Sequence, residues 1–156
     1  MNENVSKSTS KLLNVNIKKL NEKAVIPSYA KPGDAGMDLT AINLTYDEDH
    51  DIYIYGTGLA IEIPQGFVGL VFPRSSNRKT DAYMTNHVGV IDSGYRGEIM
   101  ITYKNRDCFD GTFEPYQIGD RVAQLIIMPY PEINLTEVEE LSETERGEGG
   151  HGSTGK

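Results

Sequence analysis

From residue 12 onward the chain alternates. Leu13, Val15 and Ile17 alternate with Asn14, Asn16 and Lys18, and Leu59, Ile61 and Ile63 alternate with Ala60 and Glu62. A period of two predicts half-buried strands. Ile52 and Ile54 alternate with tyrosines, FVGLVF (67–72) reads as a core strand, Ile99, Ile101 and Tyr103 alternate again, and RVAQLIIM (121–128) continues the pattern. Gly and Pro interrupt nearly every gap, at Pro32-Gly33, Gly56, Pro64 to Gly66, Pro73, Gly94, Gly111, Pro115 and Gly119. One stretch, SNRKTDAYMT (76–85), predicts a short helix. Many short strands separated by turns imply an all-β architecture, closed or sandwiched. Residues 1–11 are too polar to offset the entropy of ordering themselves and are expected to be a flexible tail. Past Pro131 the chain turns acidic and then glycine-rich, as an arm leaving the core would. The division predicted is a tail over 1–11, a β domain over 12–131 and an arm over 132–156.

Composition narrows the partners. At 156 residues the chain suits one domain with one core. A net charge of −8 and a pI near 4.8 repel nucleic acid and anionic membrane, so neither is an expected partner. Any phosphate must therefore meet local donors. The single Cys108 allows no internal disulfide and reads as a small buried apolar residue, while His50, His87 and His151 are too scattered for a Cys/His metal site. There is no apolar run of about 18 residues, and MNENVSKSTSK lacks the apolar centre of a signal peptide. The expectation is a soluble intracellular protein, cytoplasmic by default, with a nuclear location left open.

The ending RGEGGHGSTGK (146–156) fits G-x-G-x-x-G at Gly147, Gly149 and Gly152, and most of G-x-x-x-x-G-K from Gly150 to Lys156. Both loops hold phosphate only when a helix follows, because its N-terminal amides and dipole do the binding. VEELSETE before the motif is charged and weakly strand-like and no helix is read after Lys156, so both matches are expected to be accidents of glycine density, and the segment reads otherwise as a loose end. The content still suits an anion: Arg146 offers a bidentate fork, Ser153 and Thr154 offer hydroxyls, and the glycines free the backbone for close approach.

Upstream lie further candidates. DAGMDL (34–39) sets Asp38 after a permissive Gly36, although a turn aspartate ordinarily bonds its own backbone. PRSSN (73–77) ends a strand and presents Arg74, Ser75 and Ser76, either as an anion site or as a solvated turn with a serine capping a helix. NHVGVIDSGYRGEIM (86–100) reads as a hairpin with Asp92 and Tyr95 near its tip. Beside an apolar wall Asp92 could take a proton from water as a general base, and Tyr95 could pack on a sugar. In GDRVAQLI (119–126), Arg121, Ala123 and Leu125 share one face and Val122, Gln124 and Ile126 the other. The Gln124 amide must then be satisfied by backbone or by ligand.

The ordered set DAGMDL, PRSS, GVIDSGYRG, GDRVAQL and RGEGGHGSTG resembles the motifs of the homotrimeric dUTP pyrophosphatases (dUTPases), across nearly everything after residue 30. The resemblance implies a jelly-roll-like subunit in a threefold trimer, with a swapped C-terminal arm and sites drawing on all three chains. It implies hydrolysis of dUTP to dUMP and pyrophosphate, which limits uracil in DNA and supplies dUMP for dTMP synthesis. Asp92 would be the general base, and Val90, Ile91 and Met100 would read uracil by their backbone with help from Asn86. Tyr95 would lie under the deoxyribose. Arg74, Ser75, Ser76 and Gln124 match phosphate-contacting positions, and Mg²⁺ would ride on the phosphates with Asp38 reaching it through water. Arg121 would pair with motif one or sit at the trimer centre. Arg146, His151, Gly152, Ser153 and Thr154 would close as a lid on a neighbouring subunit's substrate. His151 stands where the family usually has Phe, and an imidazole there is expected to make closure weaker or more pH-sensitive.

Three rivals remain. dCTP deaminase resembles this fold and shares Arg-Ser-Ser, but needs a glutamate where this chain has Thr102, Glu98 being too early. A nucleotide-gated regulator that binds a protein partner would use the same site. A jelly-roll coat component would leave the arginines and hydroxyls at turns unexplained.

Overall fold

The computed structural model describes residues 12–105 and 115–150, and among these the regular structure is almost wholly β. Two four-stranded antiparallel sheets and a two-stranded ribbon share one core. The ribbon joins β1 (Asn16–Lys19) to β5 (Leu59–Glu62). The first sheet runs β2 (Met37–Thr40), β10 (Arg121–Pro129), β6 (Phe67–Phe72), β8 (Gly89–Ile91). The second runs β3 (Asn43–Asp47), β4 (Ile52–Gly56), β9 (Met100–Asn105), β7 (Ala82–Met84).

The alternation explains which side chains meet. Leu39, Val71 and Leu125 of the first sheet, Ile101 and Tyr103 of the second, and Leu59 and Ile61 of the ribbon all pack in the core. On β4 the tyrosines point inward: Tyr53 and Tyr55 are buried while Ile52 and Ile54 are only partly so. A phenol in a core needs a partner for its hydroxyl. Tyr55 Oη donates to Tyr116 O at 3.0 Å and accepts from Tyr116 N at 3.1 Å, and Tyr103 Oη donates to Val122 O at 2.8 Å. Burial raises the Tyr103 and Tyr116 phenols above their ordinary range, so they act as neutral donors.

Three sequence expectations are corrected. The helix over 76–85 is a single 3-10 turn, Ser75–Lys79, followed by strand β7. So short a helix does not recover its nucleation cost, and Ala82–Met84 gain a ladder to β9 instead. The hairpin over 86–100 is a crossover between sheets: β8 pairs with β6, while β9 pairs with β4 and β7. The strict alternation over 121–126 breaks at a bulge between Arg121 and Ala123, which buries Val122 as fully as Ala123 and Leu125. Cys108 lies outside the described residues.

Candidate active site

The crossover is what makes the first half of the site. Because no ladder joins β8 to β9 among the described residues, the two arms of residues 89–91 and 99–100 stay apart. Between them opens a cavity of about 170 Å³, lined by Val90, Ile91, Asp92, Tyr95, Glu98, Ile99 and Met100. That is below the roughly 300 to 1,000 Å³ that encloses a whole drug-sized ligand. Its size suits one heterocyclic ring.

At its rim Asp92 and Tyr95 are exposed, and the turn that carries them is tethered. Tyr95 N donates to Asp92 O at 3.0 Å, closing the turn, and Tyr95 Oη donates to Glu98 O at 2.9 Å. A Cβ at Gly97 would collide with the Tyr95 ring, so the glycine lets the ring lie over the chain. Glu98 is spent on structure: its Oε1 accepts from Gly58 N at 2.7 Å. Thr102, the position where a deaminase needs its glutamate, meets the Thr85 hydroxyl instead. Asn86 lies exposed just ahead of β8.

The second half gathers around Gln124. On β10 it stands between Asp38 of β2 and Phe72 of β6. Its Nε2 donates to Pro73 O at 3.0 Å, so backbone takes up one of the amide protons. Arg74 follows, with Nε donating to Asp38 Oδ1 at 2.6 Å and Nη1 to Ser76 Oγ at 3.2 Å. Arg121 Nη1 donates to Asp38 Oδ2 at 3.1 Å. One carboxylate thus sits between two guanidiniums and leaves a local positive excess in an acidic chain. Arg74 is itself the cap of the 3-10 turn and makes no side-chain capping bond, so neither Ser75 nor Ser76 serves as the cap. Arg78 and Lys79 add charge in its last turn.

These halves do not meet within one chain. Ile91 pairs with Gly69 near the start of β6, so Asp92 continues past Val68, whereas Arg74 extends beyond the far end at Phe72. Six extended residues at about 3.3 Å each separate the two ends by roughly 20 Å. A general base must reach its proton directly or through one water.

The arm adds a third part. Beyond β10 residues 130–150 form no strand, and Ile133, Leu135, Val138 and Leu141 are 72%, 90%, 57% and 86% exposed. Arg146 Nε donates to Gly149 O at 3.0 Å, and Gly147, at a φ of 52°, turns the chain there. His151, Gly152, Ser153 and Thr154 lie outside the described residues. Among those described, no group of three or more His, Cys, Asp or Glu could hold a metal ion, and no helix is long and apolar enough to cross a membrane.

Comparison with known proteins decides the family. The dUTPase family model matches residues 22–155. This chain belongs to the dUTPase family. The deoxyuridine 5'-triphosphate nucleotidohydrolase of Clostridioides difficile is 41% identical over 145 residues, spanning 92% of this chain and 99% of its own length. That of Nocardia farcinica is 40% identical over 94% of this chain and 88% of its own. Among solved structures, the Staphylococcus bacteriophage 80alpha dUTPase with dUpNHpp superposes with a TM-score of 0.78 at 30% identity, covering 92% of this chain and 99% of that one. It is described as controlling transfer of virulence genes by a G protein-like mechanism. A dUTPase of phage phi11, described with a structural Mg(II) ion, gives a TM-score of 0.69 at 26% identity over 82% of this chain and 98% of its own.

Sequence reasoning missed the clustering of Arg96, Glu62 and Asn16 behind the Asp92 turn, and the Glu98 contact to Gly58. The residues concerned are far apart in the chain, and period-two patterning carries no cross-strand partners.

Proposed function

We propose that this dUTPase hydrolyses dUTP to dUMP and pyrophosphate at sites completed by other copies of the chain, three in all, thereby limiting uracil in DNA and supplying dUMP. The observation that carries the reading is the open cavity between β8 and β9, lined by Asp92 and Tyr95 and bordered on one side by β8, the edge strand of its sheet. Uracil enters it and is read by the backbone of Val90, Ile91 and Met100, with Asn86 assisting. Fixed donors and acceptors discriminate sharply between bases, and a thymine methyl would meet the wall. Tyr95 lies under the deoxyribose and excludes a 2′-hydroxyl. The Asp92 carboxylate accepts a proton from a water as its oxygen bonds to the α-phosphorus. The bond from that phosphorus to the bridging oxygen then breaks and pyrophosphate departs.

Arg74, Ser75, Ser76 and Gln124 hold the phosphates, and they come from a different subunit than Asp92, because the two groups stand at opposite ends of β6. The exposed row Ile133, Leu135, Val138 and Leu141 supports a swapped arm: apolar area left in water costs about 25 cal/mol per Å², and a second copy would cover it. Arg146, His151, Gly152, Ser153 and Thr154 then close over a neighbour's substrate and exclude competing water.

The donor set fits Mg²⁺ only as an ion carried by substrate. Asp38 is a lone carboxylate with both oxygens already in ion pairs, so it reaches the metal through water and offers no cage. When bound, Mg²⁺ supplies charge neutralisation on the phosphates.

The test is pyrophosphate release from dUTP, dTTP, dCTP and UTP with Mg²⁺. Turnover is expected for dUTP alone, without ammonia from dCTP, and Asp92→Asn should lower kcat by about 10² to 10⁴. Undiminished turnover by Asp92→Asn would remove the reading. A further regulatory role through a nucleotide-gated protein partner is favoured only by the description of the bacteriophage 80alpha relative. Catalysis does not require it.

A further inference from the structure

The turn bearing Asp92 and Tyr95 is braced from outside the base cavity. Arg96 Nη1 donates to Ser93 O at 2.7 Å and to Tyr95 O at 2.9 Å, while Nη2 donates to Glu62 Oε1 at 3.2 Å. Glu62 ends β5, and its second oxygen accepts from Asn16 Nδ2 at 2.7 Å. Asn16 and Glu62 stand opposite one another in the β1–β5 register. The Asn16 amide, and after it the Arg96 charge, hold the Glu62 carboxyl below the usual carboxylate range. None of the three lines the base cavity; all line a larger one, about 450 Å³, on the other side of the turn with Ser93 and Gly94.

A folding role accounts for little of this. The Arg96 and Glu62 side chains are 53% and 51% exposed, and pairs so wet contribute little to stability. Geometry gives the cluster another purpose. Among the described residues no side chain hydrogen-bonds the Asp92 carboxylate, so its aim depends on the backbone of the turn. That turn has a glycine at its tip, Gly94, with open space around it. Arg96 takes up two of its carbonyls with one nitrogen and anchors the other nitrogen to a different element.

We propose that Arg96, held by Glu62 and Asn16, is a positioning residue that sets the 92–95 turn and so aims Asp92 at the attacking water. The assignment rests on Asp92 being the general base. Base binding is insulated from it: Val90 and Ile91 are fixed by pairing to Leu70 and Gly69, and Tyr95 by its own bond to Glu98 O.

Arg96→Met in the full-length protein should therefore lower kcat for dUTP by about 10- to 100-fold with KM changed less than about twofold, since a misplacement of about 1 Å costs up to 10²-fold in rate. Arg96→Lys, able to reach a carbonyl as a single donor, should recover part of the loss, and Glu62→Gln should fall between. Amide hydrogen exchange at Tyr95 should quicken in Arg96→Met while the thermal midpoint stays nearly unchanged. Wild-type kcat in Arg96→Met, or a fall in kcat matched by a rise in KM, or unchanged exchange at Tyr95, would each overturn the proposal. Failure of the underlying reading is distinguishable, because it shows as full turnover by Asp92→Asn whatever Arg96→Met does.

Discussion

The direction of the Gln124 amide is decided by two neighbours. Pro73 O accepts its Nε2 proton at 3.0 Å, and the room its Oε1 fills exists because residue 36 is glycine, where a Cβ would sit 2.6 Å from that oxygen. Gly36→Ala leaves the backbone unstrained but pushes the amide off Pro73. One such hydrogen bond contributes about 1 kcal/mol to stability, so a loss of that size is expected in denaturant unfolding, and KM for dUTP should rise because Gln124 is no longer held toward the phosphates. Gln124→Ala should do the same. Because both changes break one contact, the double variant should be no worse than the poorer single one; additive losses in steady-state kinetics would refute the coupling. At this scale the sequence was readable where a polar side chain interrupts an apolar strand or closes a turn, as with Gln124, Arg74 and Asp92. For Arg121 the family resemblance left two places open, an ion pair around motif one or the trimer centre, and within the chain it pairs with Asp38. The sequence was silent on Arg96 and Glu62, whose partnership depends on a strand pairing that brings 62 beside the 92–96 turn.

Among the elements, period two found β1, β4, β5, β6, β9 and β10, because a half-buried strand must alternate whatever it pairs with, but it missed β2 and β3, and β7 was read as helix. It could not say that β8 and β9 belong to different sheets, and that separation is what opens the cavity beside Asp92 and Tyr95. The 3-10 turn at Ser75–Lys79 escaped for a related reason: its hold comes from elsewhere. Tyr116 Oη donates to Asn77 Oδ1 at 2.9 Å, and Asn77 Nδ2 donates to Ala82 O at 3.1 Å, which fastens the turn to the tyrosine core. Tyr116→Phe removes the first of these and leaves Asn77 Oδ1 a share of the Thr80 Oγ1 proton, which also faces Asn77 O. A loss of about 1 kcal/mol is expected in denaturant unfolding. The pH dependence has a definite sign. Burial raises the Tyr116 phenol above its ordinary value of 10.0, so its contribution is fully present below that pH and is lost as pH climbs through the folded value. Wild type and Tyr116→Phe should therefore differ by a constant amount across neutral pH and converge in strong alkali; a difference that varied around neutrality would place its origin in another group.

For the whole molecule the decisive fact is the distance along β6. A net charge of −8 makes an anionic substrate depend on a few local cations, and the cluster of Arg74 and Arg121 around Asp38 lies at the end of the sheet away from Asp92. If each site takes Asp92 from one subunit and Arg74 from another, then two different lesions can be kept out of the same site. Asp92→Asn and Arg74→Ala are each expected to be nearly inactive alone. Unfolded together in equal amounts and refolded, they form mixed trimers in which a site works when its Asp92 donor carries the Arg74 lesion and its Arg74 donor carries the Asp92 lesion. In a cyclic assembly with random mixing that holds for about one site in four, so pyrophosphate release should recover to about 25% of wild type. A site built within one chain admits no such rescue, since every subunit in the mixture carries one lesion. Activity that stays at the level of the separate variants, in mixtures shown by mass to be hybrid, would mean that residue 92 and residue 74 serve the same subunit and that the chain rearranges along β6 to join them.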